Sequence, residues 1–440
     1  MQTRIEERTG RPLTPEEIFD ITAAHETNLS RLLMLYISTG LIFMLLPGTF
    51  LGMWNLLAIS SHRAANSVSP AWIQAHGHAQ IFGWIGTFIL GIGFYSIPKL
   101  RRIDPFALSA AWGTWGLWTS GVALRWFTNV YQWQWRILLP VSATLELIAF
   151  LIFFRSVSGH RPQESGKDRL EEWVVVVIAG SVGLLLSLLI NFGTAVLLAI
   201  RGISPDLPHG FDQRLLVLET WGFLVPFVWG FSAKWLSVFL GLRPVRGRTL
   251  LVAVALNSGG VLAALVGWMI PAALLLLVGM VIAIYAVRLF ERPQRPPKIK
   301  GVHPSFPIFV RTAYIWGAIA ALLETWAASV ENSYGIWGAS RHALTVGFLG
   351  MMVFAVGQRI LPAFSGMRVL FNTTLMFVAL LLLAVGCLMR VSSEILAYQG
   401  FTNSAWSWLP VSAITEMAAV TIFAVNLLVT FARRRPSAQM

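Results

Sequence analysis

The sequence predicts an all-α integral membrane protein with twelve transmembrane helices arranged in parallel four-helix repeats, and three observations support this. Of the 440 residues, 56% are hydrophobic and only 12% are charged, whereas soluble proteins have about 25% charged residues. Apolar segments of about 20 residues, the length that crosses a bilayer, recur along the whole chain. The third observation is an internal sequence repeat, which indicates that the helices belong to repeated units.

The predicted spans follow a polar N-terminal segment, residues 1–30, in which Thr14 followed by proline and two glutamates is typical of a helix start. Three units follow: a first four-helix repeat at 31–155, a diverged middle set of four helices at 156–306, and a third repeat with a short tail at 307–440. We place the spans near residues 31–55, 77–98, 105–126, 136–155, 173–199, 214–240, 248–267, 270–289, 307–328, 342–364, 371–392 and 407–431.

Basic residues are concentrated in alternate loops, after the even-numbered spans and at the chain end. The positive-inside rule then predicts that both termini are cytoplasmic, and we expect a bacterial inner membrane. The net charge of +13 is explained by these loops, so no nucleic-acid partner is expected. The single cysteine, Cys387, excludes an intrachain disulfide and cysteine-ligated zinc or iron–sulfur sites. The basic residues are Lys99, Arg101, Arg102, Arg155, Arg161, Lys167, Arg169, Arg243, Arg246, Arg248, Arg288, Arg292, Arg295, Lys298, Lys300, Arg433, Arg434 and Arg435.

The most informative stretch is residues 76–98, HGHAQIFGWIGTFILGIGFYSIP, which a second segment repeats as HALTVGFLGMMVFAVGQRILP. With His342 placed under His78, identical residues follow at one constant offset without a gap. Glycines on this helix allow a flat cofactor, or a neighbouring helix, to approach closely. The matching pairs are Ala79 and Ala343, Gly83 and Gly347, Gly86 and Gly350, Gly93 and Gly357, and Pro98 and Pro362.

Two more segments repeat in the same order. GVALR, which ends at Arg125, matches GCLMR, which ends at Arg390; LPVSATLE, which ends at Glu146, matches LPVSAITE, which ends at Glu416. The copies are eight spans apart and therefore have the same orientation in the membrane, so the repeats are parallel. A weak glycine match assigns span six to the same role in the middle copy.

Ionisable residues inside a bilayer are rare and usually functional. The histidines open even-numbered spans, so we expect them near the outer, periplasmic side. One polar layer is predicted there, formed by His76, His78, His342, Arg125, Glu146, Glu219, Glu324, Arg341, Arg390 and Glu416.

His78 and His342 are the best pair for ligating one metal, because two neutral imidazoles from facing helices suit the axial positions of a haem iron. The alternative is that these histidines only bond to carbonyl groups and the glycines only pack helices. His76 points about 200° away from His78 on a helix, so we expect it to serve a different site. It is a candidate ligand for copper or a second haem, or an interfacial loop histidine.

Arg125 and Arg390 are candidates to hold haem propionates, since guanidinium groups bind carboxylates bidentately. Alternatively they reach the lipid headgroups. Glu146 and Glu416 are candidates to orient a ligand histidine, to pair with these arginines or to relay protons. A purely structural salt bridge is the other explanation.

The segments from His76 and from Arg341 resemble the two histidine motifs of the NnrS family, integral membrane proteins with haem and copper that act in nitric-oxide metabolism and nitrosative stress. The 76–98 stretch also resembles helix two of haem–copper oxidase catalytic subunits more distantly. The resemblance implies a b-type haem, copper as a second metal, and His76, His78 and His342 as ligands. Spans six and seven lack the histidines of the oxidase copper site, so an oxygen-reducing binuclear centre is not expected.

We therefore expect an NnrS-like protein that binds or transforms nitric oxide near the periplasmic face, with an external electron donor if it is an oxidoreductase. Two other hypotheses remain open. A transporter would use the polar layer for an anion or proton and would have unwound helices in mid-membrane. A factor for oxidase assembly or metal insertion would have no catalysis of its own.

Overall fold

The chain folds into long helices, and the computed structural model describes residues 14–101, 103, 106–158, 170–331, 333–366 and 368–433. No strand occurs in this part. Arg102, Arg161, Lys167, Arg169, Arg434 and Arg435, which contributed to the predicted orientation, lie outside the described residues, as do residues 1–13 of the segment 1–30. The helices are α1 (Pro15–His62), α2 (Pro70–Arg101), α3 (Leu108–Tyr131), α4 (Trp135–Ser158), α5 (Glu172–Arg201), α6 (His209–Phe239), α7 (Gly247–Leu265), α8 (Met269–Val287), α9 (Phe306–Ser329), α10 (Gly335–Phe364), α11 (Thr373–Tyr398) and α12 (Ala405–Ala432).

Eleven of these described helices are long and apolar enough to cross a bilayer, which confirms a multi-pass, all-α membrane protein. The remaining helix, α3, has 24 residues and carries the buried polar residues Arg125, Thr128 and Asn129. These polar residues lower its hydropathy. The count of twelve spans therefore stays a prediction.

Four helices, α1, α2, α6 and α10, begin earlier than the hydropathy pattern predicts. Thr14 does cap α1, where its side chain accepts a hydrogen bond from the Glu17 backbone N–H. By contrast α2 begins at Pro70 and α10 near residue 335, so the histidines lie about two turns inside these helices instead of opening them. Polar residues such as Gln74 made the first turns of α2 look like a loop, but Ala71 and Ala75 are fully buried there and hold the helix against its neighbours.

Three helices, α2, α6 and α10, form the centre of the bundle and are the most buried of the candidate spans. Aromatic contacts join them in pairs. The rings of Phe82 and Phe223 join α2 to α6 at 6.3 Å between centroids, and Trp84 meets Phe354 of α10 at 6.1 Å. In chain order the central trio corresponds to the predicted spans two, six and ten.

Each central helix widens into a π-helical segment at an equivalent place. These segments are Ala79–Gly86 in α2, Leu218–Leu224 in α6 and Ala343–Gly350 in α10, and a fourth occupies Met44–Phe50 of α1. The fifth residue of each central segment is a glycine. The π-helical segments therefore occur at the glycines that the sequence repeat and its weak middle match identified. Such turns change the register of a helix and are frequent at functional sites.

The repeated glycines contact neighbouring helices. A Cβ atom at Gly83 would lie 2.9 Å from the side chain of Phe43, and one at Gly347 would lie 2.6 Å from the ring of Trp316. Gly86 lies against Trp118 in the same way. Gly83, Gly86 and Gly347 therefore allow close approach of neighbouring helices and not of a flat cofactor. Among the repeated glycines, only Gly350 lines the main cavity.

A close contact between the backbones of α5 and α6 gives a test of this packing. A Cβ atom at Gly183 of α5 would overlap the backbone carbonyl oxygen of Gly222 in α6, which cannot move aside as a side chain can. We expect Gly183→Ala to lower the free energy of unfolding by about 1–3 kcal/mol, the range for overpacked cores. Thermal unfolding in detergent measures this.

Gly113→Ala is the control, because a Cβ at Gly113 would meet no atom within 4 Å. It should leave the melting temperature unchanged or raise it, since alanine favours helix. Equal effects of the two substitutions would contradict this account of the contact.

Candidate functional site

A cavity of about 740 Å³ lies between the central helices at the level of the histidines. Its volume is typical of sites for cofactors and other small molecules. The structure brings nearly the whole predicted polar layer to this one place, with Glu146 just behind the wall. The ionisable residues lining it include His76, His78, His342, Arg125, Arg341, Arg390, Glu219, Glu324, Glu394 and Glu416.

His78 is held by Glu146 of α4. Its Nε2 lies 2.9 Å from Glu146 Oε1, and the imidazole stacks on Phe82 at 4.6 Å between ring centroids. Glu146 is only 1% exposed. A Cβ at Gly121 of α3 would lie 2.7 Å from Glu146 Cγ, so the glycine makes room for the glutamate between α3 and α4.

The second repeat builds the same arrangement from α10, α11 and α12. His342 Nε2 lies 3.6 Å from Glu416 Oε2, and a Cβ at Gly386 would lie 2.7 Å from Glu416 Cγ. The distance exceeds that of a hydrogen bond, so this pair is looser than the first. Glu416 Oε1 is buried and has no hydrogen-bond partner in the described part of the protein. Each glutamate therefore lies beside a histidine, and the role of the two glutamates stays a prediction.

The two arginines at equivalent repeat positions lie inside the protein rather than at its lipid-facing surface. Arg125 is 5% exposed, and its Nε has no hydrogen-bond partner among the described residues. Arg390 Nη1 lies 3.0 Å from Glu394 Oε2 without the orientation of a hydrogen bond. Both arginines line the cavity, and each has one guanidinium nitrogen without a hydrogen bond among the described residues.

His76 belongs to a different environment from His78. Its Nδ1 lies 2.8 Å from the carbonyl oxygen of Gly48 in α1, and its ring rests on Gly52 of the same helix. Its electrostatic neighbours are His342, Arg390 and Glu416. The 200° separation predicted from helix geometry thus directs one α2 histidine to the α4 side and the other to the α10–α12 side.

Sequence reasoning missed several polar partners. Asn191 of α5 donates a hydrogen bond to Glu219 at 3.0 Å, and Ser340 donates one to Glu324 at 2.7 Å. Asparagine and serine in apolar runs carry too little signal to be singled out. The spacing of Glu394 four residues after Arg390 could have been found, because such pairs meet on one helix face.

Within the described residues, no three histidine, cysteine or acidic side chains converge as ligands for a bare metal ion. The predictions of His78 and His342 as haem ligands and of His76 as a metal ligand are not tested by this arrangement and stay predictions. Cys387 is buried beside α10, with its Sγ 3.9 Å from the carbonyl oxygen of His342.

Comparison with known proteins gives a fold-level likeness. A family model for a domain of unknown function (DUF8744) matches residues 216–432, slightly less than half of the chain. A haem–copper terminal oxidase dimer determined by cryo-EM is similar in structure, with a TM-score of 0.65 and 12% identity over 94% of this chain and 85% of the other. At this identity the likeness concerns the fold. No curated protein matches.

The buried histidine–glutamate pair predicts a defined loss of stability. Glu146→Ala would leave His78 Nε2 without its partner in a buried position, and an unsatisfied polar group of this kind lowers the free energy of unfolding by about 1–3 kcal/mol. Thermal unfolding in detergent measures the loss. Glu146→Gln keeps an oxygen acceptor and should retain most of the stability; a loss as large as that of Glu146→Ala would argue against the hydrogen bond.

Proposed function

We propose that this chain is a haem-binding membrane protein of nitric-oxide metabolism or nitrosative-stress defence, with its haem in the cavity near the periplasmic face. One observation carries the proposal: the cavity joins three histidines to two arginines, Arg125 and Arg390, each of which has one nitrogen without a hydrogen bond among the described residues. A haem supplies what both sets of residues need, an iron for the imidazoles and carboxylates for the guanidinium groups.

The residues present fit a haem. His76 and His78 of α2 and His342 of α10 would hold the iron, with Glu146 bonded to the imidazole of His78 and Glu416 3.6 Å from that of His342. Arg125 and Arg390 would hold the propionates. When bound, a b-type haem supplies one-electron chemistry and a site for a diatomic gas, and an external electron donor would be its partner.

The nitric-oxide assignment rests on the resemblance of the two histidine motifs to the NnrS family, and the oxidase-like fold supports a redox role. Copper is proposed with less support, as a second metal at His76, because no third ligand among the described residues joins it. The topology proposed is twelve spans in three parallel four-helix units, at 31–155, 156–306 and 307–440. Basic loops between alternate spans support cytoplasmic termini in a bacterial inner membrane.

The transporter hypothesis depends on unwound helices at the binding site. The described parts of α2, α6 and α10 widen into π-helical turns, but they stay helical across the membrane. This continuity favours a fixed cofactor site over an alternating one. An assembly or metal-insertion factor would share the site but hold haem below one equivalent per chain.

The absorption spectrum of the purified protein tests the proposal. We expect a b-type haem spectrum whose Soret band shifts on addition of nitric oxide, and a pyridine haemochrome assay that gives close to one haem per chain. His342→Ala should lower the haem content at least tenfold, because an axial ligand is lost.

His303→Ala is the matched control, since His303 bonds to Ser305 away from the cavity. It should keep the wild-type haem content. A wild-type protein expressed with ample haem but purified without any haem absorption would overturn the proposal.

A further inference from the structure

We infer that His76, and not His78, is the α2 partner of His342 at the iron, and that His76 ligates through Nε2. This inference rests on the proposed function and assigns the ligand pair within it. It departs from the repeat, in which His78 is the counterpart of His342, and it replaces the assignment of His76 to copper.

The first step is the tautomer of His76. Its Nδ1 lies 2.8 Å from the carbonyl oxygen of Gly48, and a carbonyl only accepts, so Nδ1 carries the proton. The lone pair is then on Nε2, for which no hydrogen bond is found among the described residues, and His76 lines the cavity. A backbone carbonyl on the other ring nitrogen is the usual support for a metal-binding histidine.

The second step is the seat of the imidazole. A Cβ at Gly52 would lie 2.5 Å from His76 Cε1, so the ring occupies the space that a side chain at this position would fill. Gly48 belongs to the π-helical segment of α1, Met44–Phe50, which contains Pro47. The distorted helix therefore offers His76 both an acceptor and a flat surface, and these fix the ring at the cavity wall.

His78, unlike His76, already uses its Nε2 in a hydrogen bond. Its Nε2 is already bound to Glu146 at 2.9 Å, and this carboxylate is buried outside the cavity lining. His342 differs, because its Nε2 lies 3.6 Å from Glu416, too far for a hydrogen bond. With its Nε2–H bound to Glu146, His78 has only Nδ1 left for a metal, whereas His76 keeps Nε2, the nitrogen at the far end of its ring.

The fourth step is direction. His76 and His78 lie on one continuous stretch of helix, Pro70–His78, so their side chains point about 200° apart and only one can face α10. The electrostatic neighbours of His76 are His342, Arg390 and Glu416, all on α10–α12. The partner of His78 is on α4. His78 is then a positioning residue beside the haem, held by Glu146.

Electron paramagnetic resonance of the oxidised protein tests the assignment. The wild type should give the low-spin signal of a bis-histidine haem. His76→Gly should lose this signal or have a haem content at least tenfold lower. Free imidazole should restore the low-spin signal in this variant, because it fills the space left by the side chain. His78→Gly should keep the low-spin signal without added imidazole.

A second pair of variants leaves every histidine in place. Gly52→Val should act like His76→Gly, because the new side chain displaces the ring from its seat. Gly77→Ala, between the two histidines, should keep the low-spin signal, since a Cβ there meets no atom within 4 Å. Loss of the low-spin signal in His78→Gly with its retention in His76→Gly would overturn the inference and leave the proposed function intact. A wild type without haem would overturn the proposed function itself.

Discussion

Burying an ionisable side chain in a bilayer is so unfavourable that each such group must find a partner, and this constraint organises the centre of the protein. The bundle meets it twice with the same device. In each terminal repeat a histidine on a central helix meets a glutamate two helices later, and a glycine on the intervening helix leaves room for the glutamate. Gly121 and Gly386 therefore make the two histidine–glutamate pairs possible, because a larger side chain at either position would displace the glutamate.

The constraint is also informative where it is not met. Arg125 Nε and Glu416 Oε1 are buried without hydrogen-bond partners in the described residues, and both side chains line the cavity. Native proteins rarely leave such groups unpaired, so these two atoms support the haem site proposed above. The mixture of donors and acceptors favours a ligand with carboxylates at its edge and an electrophilic centre for the imidazoles.

Much of this site could be predicted from the sequence, because repeated segments fold alike and place their matching residues at equivalent positions. Pairing Glu146 with Glu416 and His78 with His342 required only that two segments fold alike. What could not be predicted depends on backbone detail: a π-helical segment has no sequence signature of its own, and the Gly48 carbonyl that binds His76 is reached only through one. The early starts of α2 and α10 were missed because polar first turns resemble loops in hydropathy.

The same central helices decide from which side the cavity is reached. On the histidine side, Gln74 of α2 makes two hydrogen bonds to the backbone of Leu207, which holds the loop before α6 over the cavity. Asp206 and His209 line the cavity beside this loop, so water and protons have polar groups to follow there. On the opposite side, α2, α6 and α10 enclose a small crevice lined almost wholly by apolar residues, among them Ile92. The polar groups beside the cavity therefore lie on the histidine side, and on the other side the central trio encloses an apolar crevice.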